Sequence, residues 1–278
     1  MTGGLGFIGS NVALALADAG AQVTVIDAGY ERHGANAHNL EGAAAPIEVI
    51  ATDVGDADAV RDAVTGAELI FNLAGQVSHL DSMSDPQFDL DVNTRSQLTF
   101  LEVLREVNPH AVVVYTSTRQ VFGKPRYLPV DEEHPISPVD VNGVSKYAAE
   151  QFHLLYAEQY GLRATSIRLT NVYGPRQRLR DDFQGFLPIF IRRALDGETI
   201  TVFGDGEQQR DCLYVDDVTD CLVRAAVSPD AWGEPFNVGH EEHLSLREIA
   251  EIVVTTAGSG TVESLPWPPD RDAIDIGS

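Results

Sequence analysis

Short apolar runs and amphipathic stretches alternate along the first 170 residues of the chain. Residues 21–27, 46–53, 68–73 and 110–116 are β-branched, almost uninterrupted apolar runs, as expected of strands buried on both faces of a parallel sheet. Between them, residues 8–19, 56–64, 91–107 and 141–160 repeat apolar positions at helical spacing. Asp56 and Asp91 stand where helix N-caps belong, and Pro109 follows the third helix as a stop. Strand and helix in repetition predict an α/β fold with a Rossmann-type doubly wound parallel sheet. After residues 163–169 the rhythm loosens into short strands (199–203, 235–238) and helices (187–196, 216–227, 245–256) broken by Gly and Pro. This divides the chain into residues 1–170 and a smaller, loop-rich α/β domain, 171–278, some segments of which return to the first sheet.

Composition narrows the partners. The chain of 278 residues carries 19 basic and 42 acidic side chains, a formal charge of −23, with 44% hydrophobic residues. That is enough apolar content for a buried core. So acidic a surface repels nucleic acid and anionic lipid, which excludes both as partners. An anionic ligand then needs a local site of backbone amides and arginines, because Lys124 and Lys146 are the only lysines. The acidity reflects either a high-salt cytoplasm or a GC-rich codon bias. No apolar run reaches the length of a membrane helix and no signal peptide is visible. Cys212 and Cys221 make no disulfide framework or metal site. A soluble, reduced, cytoplasmic protein is expected.

Residues 2–9 read TGGLGFIG, with Gly3, Gly6 and Gly9 at G-x-x-G-x-x-G spacing where the first helix opens. One glycine permits a tight turn, one lets backbone approach a pyrophosphate, and one lets the helix pack on the sheet. The helix N-terminus adds free amides and partial positive charge. A ligand-free strand–helix turn is the alternative. Asp27 favours the dinucleotide: it ends the next strand, about 20 residues on, where a carboxylate binds an adenosine ribose 2′-hydroxyl. That charge repels a 2′-phosphate, so NAD is favoured over NADP.

With NLAG (72–75), DVNTRSQ around Asn93, YTSTRQVFG (115–123), SK (145–146), RLTNVYGPRQ (168–177), RDCLYVDDV (210–218) and FNVG (236–239) added, the chain resembles the extended short-chain dehydrogenase/reductase family. Within it, the likeness is to the NAD-dependent epimerase/dehydratases of nucleotide sugars, of the UDP-glucose 4-epimerase type. The resemblance implies a cofactor site of Gly3, Gly6, Phe7, Ile8, Gly9, Asp27, Asp53, Val54, Leu73, Ala74, Gly75, Asn93 and Lys146. It implies a nucleotide-diphosphate sugar held by Gln76, Thr118, Asn171, Arg210 and Arg271, the arginines clamping the diphosphate. It makes Thr118 the catalytic hydroxyl and Lys146 the catalytic lysine, and implies a homodimer through helices 91–107 and 141–160.

Two departures stand out. The family pattern Tyr-x-x-x-Lys reads Asn142-Gly-Val-Ser-Lys146 here. An amide has no proton to surrender near neutral pH, so Asn142 can hydrogen-bond a sugar hydroxyl but cannot serve as the base. Tyr147 is rotated by roughly 140° from it on a helix and does not substitute. Either another group accepts the proton, or the acid/base comes from the second domain, or the protein binds NAD and a nucleotide sugar without normal turnover. Second, Arg119-Gln120 occupies the place of the acidic pair a 4,6-dehydratase needs, which favours an epimerase over a dehydratase or reductase.

His33, His38, His79 and His134 read as solvated loop residues, and Asp81, Asp85, Asp89 and Asp91 as a solvated face with a helix cap. His240 and His243 share an HEEH loop without further metal-ligand spacing, and Asp216–Asp217 read as a helix cap; no metal is expected. The family's apolar first strand precedes its T-G-G, and a terminal segment follows its C-terminal domain. A chain starting Met1-Thr2 and stopping at Ser278 is expected to be truncated at both ends and marginally stable.

Overall fold

The computed structural model describes residues 1–180 and 185–268. In chain order the first half runs α1 (Phe7–Asp18), β1 (Thr24–Asp27), β2 (Glu48–Ala51), α2 (Ala57–Val64), β3 (Leu69–Asn72), α3 (His79–Ser84), α4 (Pro86–Leu90), a π-helical turn (Asp91–Arg95), α5 (Ser96–Val107), β4 (Val112–Thr118), α6 (Val141–Tyr160) and β5 (Arg163–Leu169). The second half adds β6 (Asn171–Tyr173), α7 (Phe186–Leu195), β7 (Thr199–Phe203), β8 (Gln209–Arg210), β9 (Cys212–Tyr214), α8 (Val215–Val227), β10 (Pro235–Val238), β11 (Leu244–Ser245), α9 (Leu246–Ala257) and β12 (Thr261–Leu265).

The main sheet is parallel throughout. β1 pairs with β2, and β3, β4, β5 and β10 pair in that order. The two-residue segment Met1–Thr2 joins the halves: Thr2 bridges Ile26 on one side and Asn72 on the other. Its backbone N–H donates to the Phe71 carbonyl (3.0 Å), and the Leu73 N–H donates back to the Thr2 carbonyl (3.3 Å). The resulting order, β2-β1-(Met1–Thr2)-β3-β4-β5-β10, is that of a doubly wound sheet.

Both faces are covered over the central strands, as their uninterrupted apolar runs require; β2, expected to be buried on both faces, is an edge strand and stays largely exposed, with Val49 facing solvent. On one face, Phe100, Leu101 and Leu104 of α5 meet Ile70 and Val113; on the other, Val12 of α1 and Val218 and Leu222 of α8 meet Phe71, Val114 and Ile167. Thus α8 and β10, from the second half, return to the first sheet. A separate core of Leu187, Phe190, Ile200, Val202 and Ile249 holds α7, β7 and α9 together. No helix among the described residues is long and apolar enough to cross a membrane.

Asp56 caps α2 through the amides of Asp58 and Ala59 (both 3.2 Å). Asp91 does not cap the following helix. The helix begins earlier, where Asp85 accepts from the Phe88 N–H (3.1 Å) and Pro86 occupies the first turn, because proline has no amide to leave unpaired there. Asp216 and Asp217 lie in the first turn of α8, whose N-cap position is Tyr214, with no side-chain cap; their charges still favour the positive helix end.

The seam is sensitive to one side chain. Thr2 is buried, its Oγ1 donates to Asn72 Oδ1 (2.7 Å), and it accepts from the Ala74 N–H (3.1 Å). Thr2→Val keeps the shape and strands both partners, so it should destabilise the fold by about 2–4 kcal/mol. Urea unfolding of the two proteins side by side measures this.

Candidate active site

The site residues named from the sequence, apart from Asn93, Arg210 and Arg271, line one cleft at the carboxyl edge of the main sheet, where doubly wound sheets bind ligands. Gly3 turns at φ +67°, and a Cβ there would lie 2.8 Å from the Ala74 nitrogen. A Cβ on Gly9 would lie 2.2 Å from the Gly3 carbonyl oxygen, so helix and turn can touch only without side chains. A Cβ on Gly6 would meet only the Gly3 oxygen, at 3.3 Å. No side chain caps α1, so the first-turn amides face a cleft walled by Phe7, Ile8 and Gly9 and suit a pyrophosphate.

Asp27 ends β1 and lines the cleft with its carboxylate held in place, accepting from the amides of Leu5 (3.0 Å) and Gly29 (2.9 Å). Asp53 and Val54 line the same end, Asp53 accepting from the Gly55 N–H at 2.7 Å. Tyr30, His33 and Phe88 pack edge-on and stacked beside them, with ring centroids 5.1 to 6.2 Å apart, an aromatic wall absent from the sequence reading. Leu73, Ala74 and Gly75 continue the lining towards Lys146.

Asn142 and Lys146 stand on α6 four residues apart, so they share a face. Lys146 is buried, its Nζ 4.8 Å from the centroid of the Tyr115 ring. Burial pushes its ammonium down to about 8, against the opposing pull of Asp89 and Glu150. Thr118 ends β4; its Oγ1 accepts from the Gln120 N–H (3.2 Å), leaving the hydroxyl proton to donate.

Asn142 donates to the Gln76 carbonyl (2.9 Å) and to Asp89 Oδ2 (3.2 Å). Both partners can only accept, so the amide nitrogen must face them and the carbonyl oxygen is what Asn142 offers the cleft. Asn93, expected at the cofactor, lies behind the wall and is not part of the lining. It grips the Gln76 peptide from both sides (3.0 Å each) and donates to Asp89 (3.0 Å). The Gln76 side chain, expected at the substrate, folds onto the backbone of Ser78.

Asp89 is fully buried, not part of a solvated face. The early helix start at Pro86 and the π-helical turn shift the phase of this stretch, turning Asp89 inward with Asn93 above it. His134 is also buried, accepting from the Arg126 N–H (2.9 Å) between the rings of Phe122 and Tyr127. His79 and His33 line the cleft, and His38 stays exposed. His79 Nδ1 lies 2.8 Å from Asp140 Oδ2. The HEEH loop gives no metal-ligand cluster among the described residues.

On the substrate side Asn171 lines the cleft and donates to the Asp211 carbonyl (3.1 Å). Arg210 is buried on β8, donates to the Gln209 carbonyl (2.8 Å), and lies outside the lining. Arg119 lines the cleft from the other side. Burial and Asp211 push the Cys212 thiol up, against the opposing pull of Arg210 and Arg119. Arg271 lies outside the described residues.

The model of the NAD dependent epimerase/dehydratase family matches residues 1–239. UDP-glucose 4-epimerase from Mycolicibacterium smegmatis is 34% identical, over 93% of this chain and 82% of its own. The crystal structure of UDP-glucose 4-epimerase from Thermus thermophilus in complex with NAD superposes with a TM-score of 0.86 at 30% identity, covering 99% of this chain and 87% of that one. UDP-N-acetylglucosamine 4-epimerase from Methanobrevibacter ruminantium M1, in complex with UDP-N-acetylmuramic acid, superposes at 0.90 with 28% identity, covering 99% and 86%.

The buried lysine makes the site visible to pH. An ammonium depressed from 10.5 to about 8 binds fewer protons in the native than in the unfolded chain between those values. Stability therefore rises as pH climbs through that window, and the full cost stands below it. Lys146→Met should lack that rise and be more stable than wild type by about 3 kcal/mol at about pH 7. Denaturant melts of both proteins across the window measure it.

Proposed function

Because the chain belongs to the NAD-dependent epimerase/dehydratase family, we propose that it epimerises the sugar of a nucleotide diphosphate sugar, using tightly bound NAD. One observation carries this reading: Thr118, Asn142 and Lys146 face the same cleft as the uncapped glycine turn and Asp27. The uncapped amides of α1 suit the pyrophosphate, Asp27 a ribose 2′-hydroxyl, and Lys146 the nicotinamide ribose; no described group accepts a hydrogen bond from its Nζ. When bound, oxidised nicotinamide supplies a hydride acceptor that takes hydrogen from a sugar carbon and gives it back, so no net redox occurs.

The protein's share is binding, orientation and charge. The Thr118 hydroxyl donates to the reacting sugar oxygen, and the Asn142 carbonyl accepts from a neighbouring hydroxyl. The Lys146 ammonium favours negative charge developing on that oxygen. Arg119 and Arg210 supply local cations for the diphosphate on an otherwise repulsive surface. Elimination of water needs a titrating acid and base at the position of Arg119 and Gln120. The Gln120 amide is instead spent as a donor to Asp140 (3.2 Å), which favours epimerisation over dehydration. Absence of a tyrosine at residue 142 motivates a second reading, a non-catalytic protein that binds NAD and a nucleotide sugar.

Incubation with a panel of UDP-, GDP-, CDP- and dTDP-sugars, followed by mass spectrometry and sugar analysis, separates these readings. The expected result is a mixture of epimers of equal mass without accumulation of reduced cofactor. A product lighter by one water moves the assignment to a dehydratase, and unchanged sugar bound beside NAD moves it to the binding protein.

A homodimer through α5 and α6 belongs to the same reading, supported by Val144, Leu155 and Tyr160 exposed along α6. Light scattering should give twice the monomer mass at micromolar concentration; a monomer overturns it.

A further inference from the structure

Asparagine at residue 142 removes the phenol of the family pattern from beside Lys146, yet another titratable pair faces the cleft. His79 is the first residue of α3 and lines the cleft with Thr118, Asn142 and Lys146. Its Nδ1 lies 2.8 Å from Asp140 Oδ2; the histidine side chain is 39% exposed and the carboxylate 1%. Asp140 is itself fixed, as the N-cap of α6 accepting from the Gly143 N–H (2.7 Å). Gln120 donates to the same carboxylate oxygen (3.2 Å). Burial works to raise the Asp140 carboxyl, but bonds from His79, Gly143 and Gln120 outweigh it and hold it below its usual range, so it stays ionised.

A carboxylate only accepts, so the imidazole proton sits on Nδ1 and the Nε2 lone pair is left over. The Gln120 amide nitrogen also lies 3.2 Å from Nδ1; one of its two hydrogens goes to the ionised carboxylate, the stronger acceptor for it and for Nδ1–H alike. No described residue bonds Nε2. A histidine whose tautomer is fixed by a buried carboxylate, with its far nitrogen open to a substrate cleft, is the arrangement of a general base.

We infer that His79 Nε2 is the proton acceptor and donor of the reaction, with Asp140 as the residue that orients it, in place of the tyrosine that position 142 lacks. The inference rests on the epimerase reading. As the C–H electron pair leaves the sugar carbon as hydride for the oxidised nicotinamide, the hydroxyl proton passes to Nε2. The O–H pair becomes the second bond of the carbonyl. The imidazolium is held by Asp140, and in the return direction it gives the proton back to oxygen as hydride returns to carbon.

Two kinds of measurement test the dyad. Nitrogen-15 NMR of the full chain, independent of turnover, should show neutral His79 as the Nδ1–H tautomer. In Asp140→Asn, which keeps an N-cap side chain, that preference should disappear. An Nε2–H tautomer in wild type overturns the inference. In kinetics, His79→Gln should lower turnover by about 100- to 1,000-fold with little change in KM, and imidazole should restore part of the activity of His79→Ala. If His79→Gln keeps wild-type turnover, or folded His79→Ala ignores imidazole, the dyad fails and the epimerase reading stands. If wild type is inert towards every nucleotide sugar, the reading beneath the dyad fails.

Discussion

The buried segment Met1–Thr2, bridged to Ile26 on one side and Asn72 on the other and fixed by the Thr2 hydroxyl on the Asn72 amide, holds the two halves of the main sheet and the glycine turn in one geometry. Thr2 lies between β1 and β3, and its side chain also accepts from Ala74. The residues that follow it are the glycine turn, and those that follow Asn72 are the floor of the cleft. Gly3 approaches Leu73 and Ala74 so closely that a Cβ would lie 2.8 to 2.9 Å from their backbone. A shift of the seam by a fraction of an ångström would therefore move phosphate turn and cleft floor against each other, and close packing leaves no slack to absorb it.

From Asn72 the polar interior continues inward. Its amide donates to Gln97 (2.7 Å) and meets His153 Nε2 (3.1 Å), whose Nδ1 is bonded to the Ala149 carbonyl (2.8 Å). Burial pushes His153 down to about 4, so it is neutral and can accept from Asn72. It stacks on Tyr115 at 4.3 Å, and that ring in turn lies under the Lys146 ammonium. Below, Arg168 and Glu150 form a buried pair at 2.6 Å. Such a pair contributes little net stability, but losing one partner strands a charge. Glu150 and Asp89 are the anions that let an ammonium persist where desolvation opposes it.

Much of this was legible in the chain, for reasons that also mark the limits. The strand–helix alternation, the glycine spacing and Asp27 are short-range patterns whose meaning is set by backbone geometry, and each appears in the folded protein at the expected place. Asp89 and His134 were misread as solvated because polarity was taken for exposure; His79 keeps a part-exposed side chain but is paired with a buried carboxylate. Their burial or orientation depends on partners far away in sequence: Asn142 for Asp89, Asp140 for His79, and packing between Phe122 and Tyr127 for His134. A helix start displaced to Pro86 and a π-helical turn then change which side of the segment faces inward, and no periodic count anticipates that. Asn93 shows the converse, a residue chosen for the cofactor that instead braces the wall behind it.

The asparagine at residue 142 is better understood as part of a different wall than as a damaged catalytic position. Both of its amide hydrogens are committed, one to the Gln76 carbonyl and one to the buried Asp89 carboxylate. A tyrosine has a single hydroxyl hydrogen and could not satisfy both acceptors. Asn93 donates to the same two oxygens (3.0 Å each), so a tyrosine would leave one of them with one donor fewer rather than unpaired. The network that accommodates asparagine occupies the place of the family's tyrosine, so under the proposed epimerisation the acid–base group lies on another side of the cleft. Two residues before Asn142, the residue that caps the same helix, Asp140, reaches His79. The helix start thus serves two walls at once, one closed around a buried carboxylate and one open to a titratable imidazole.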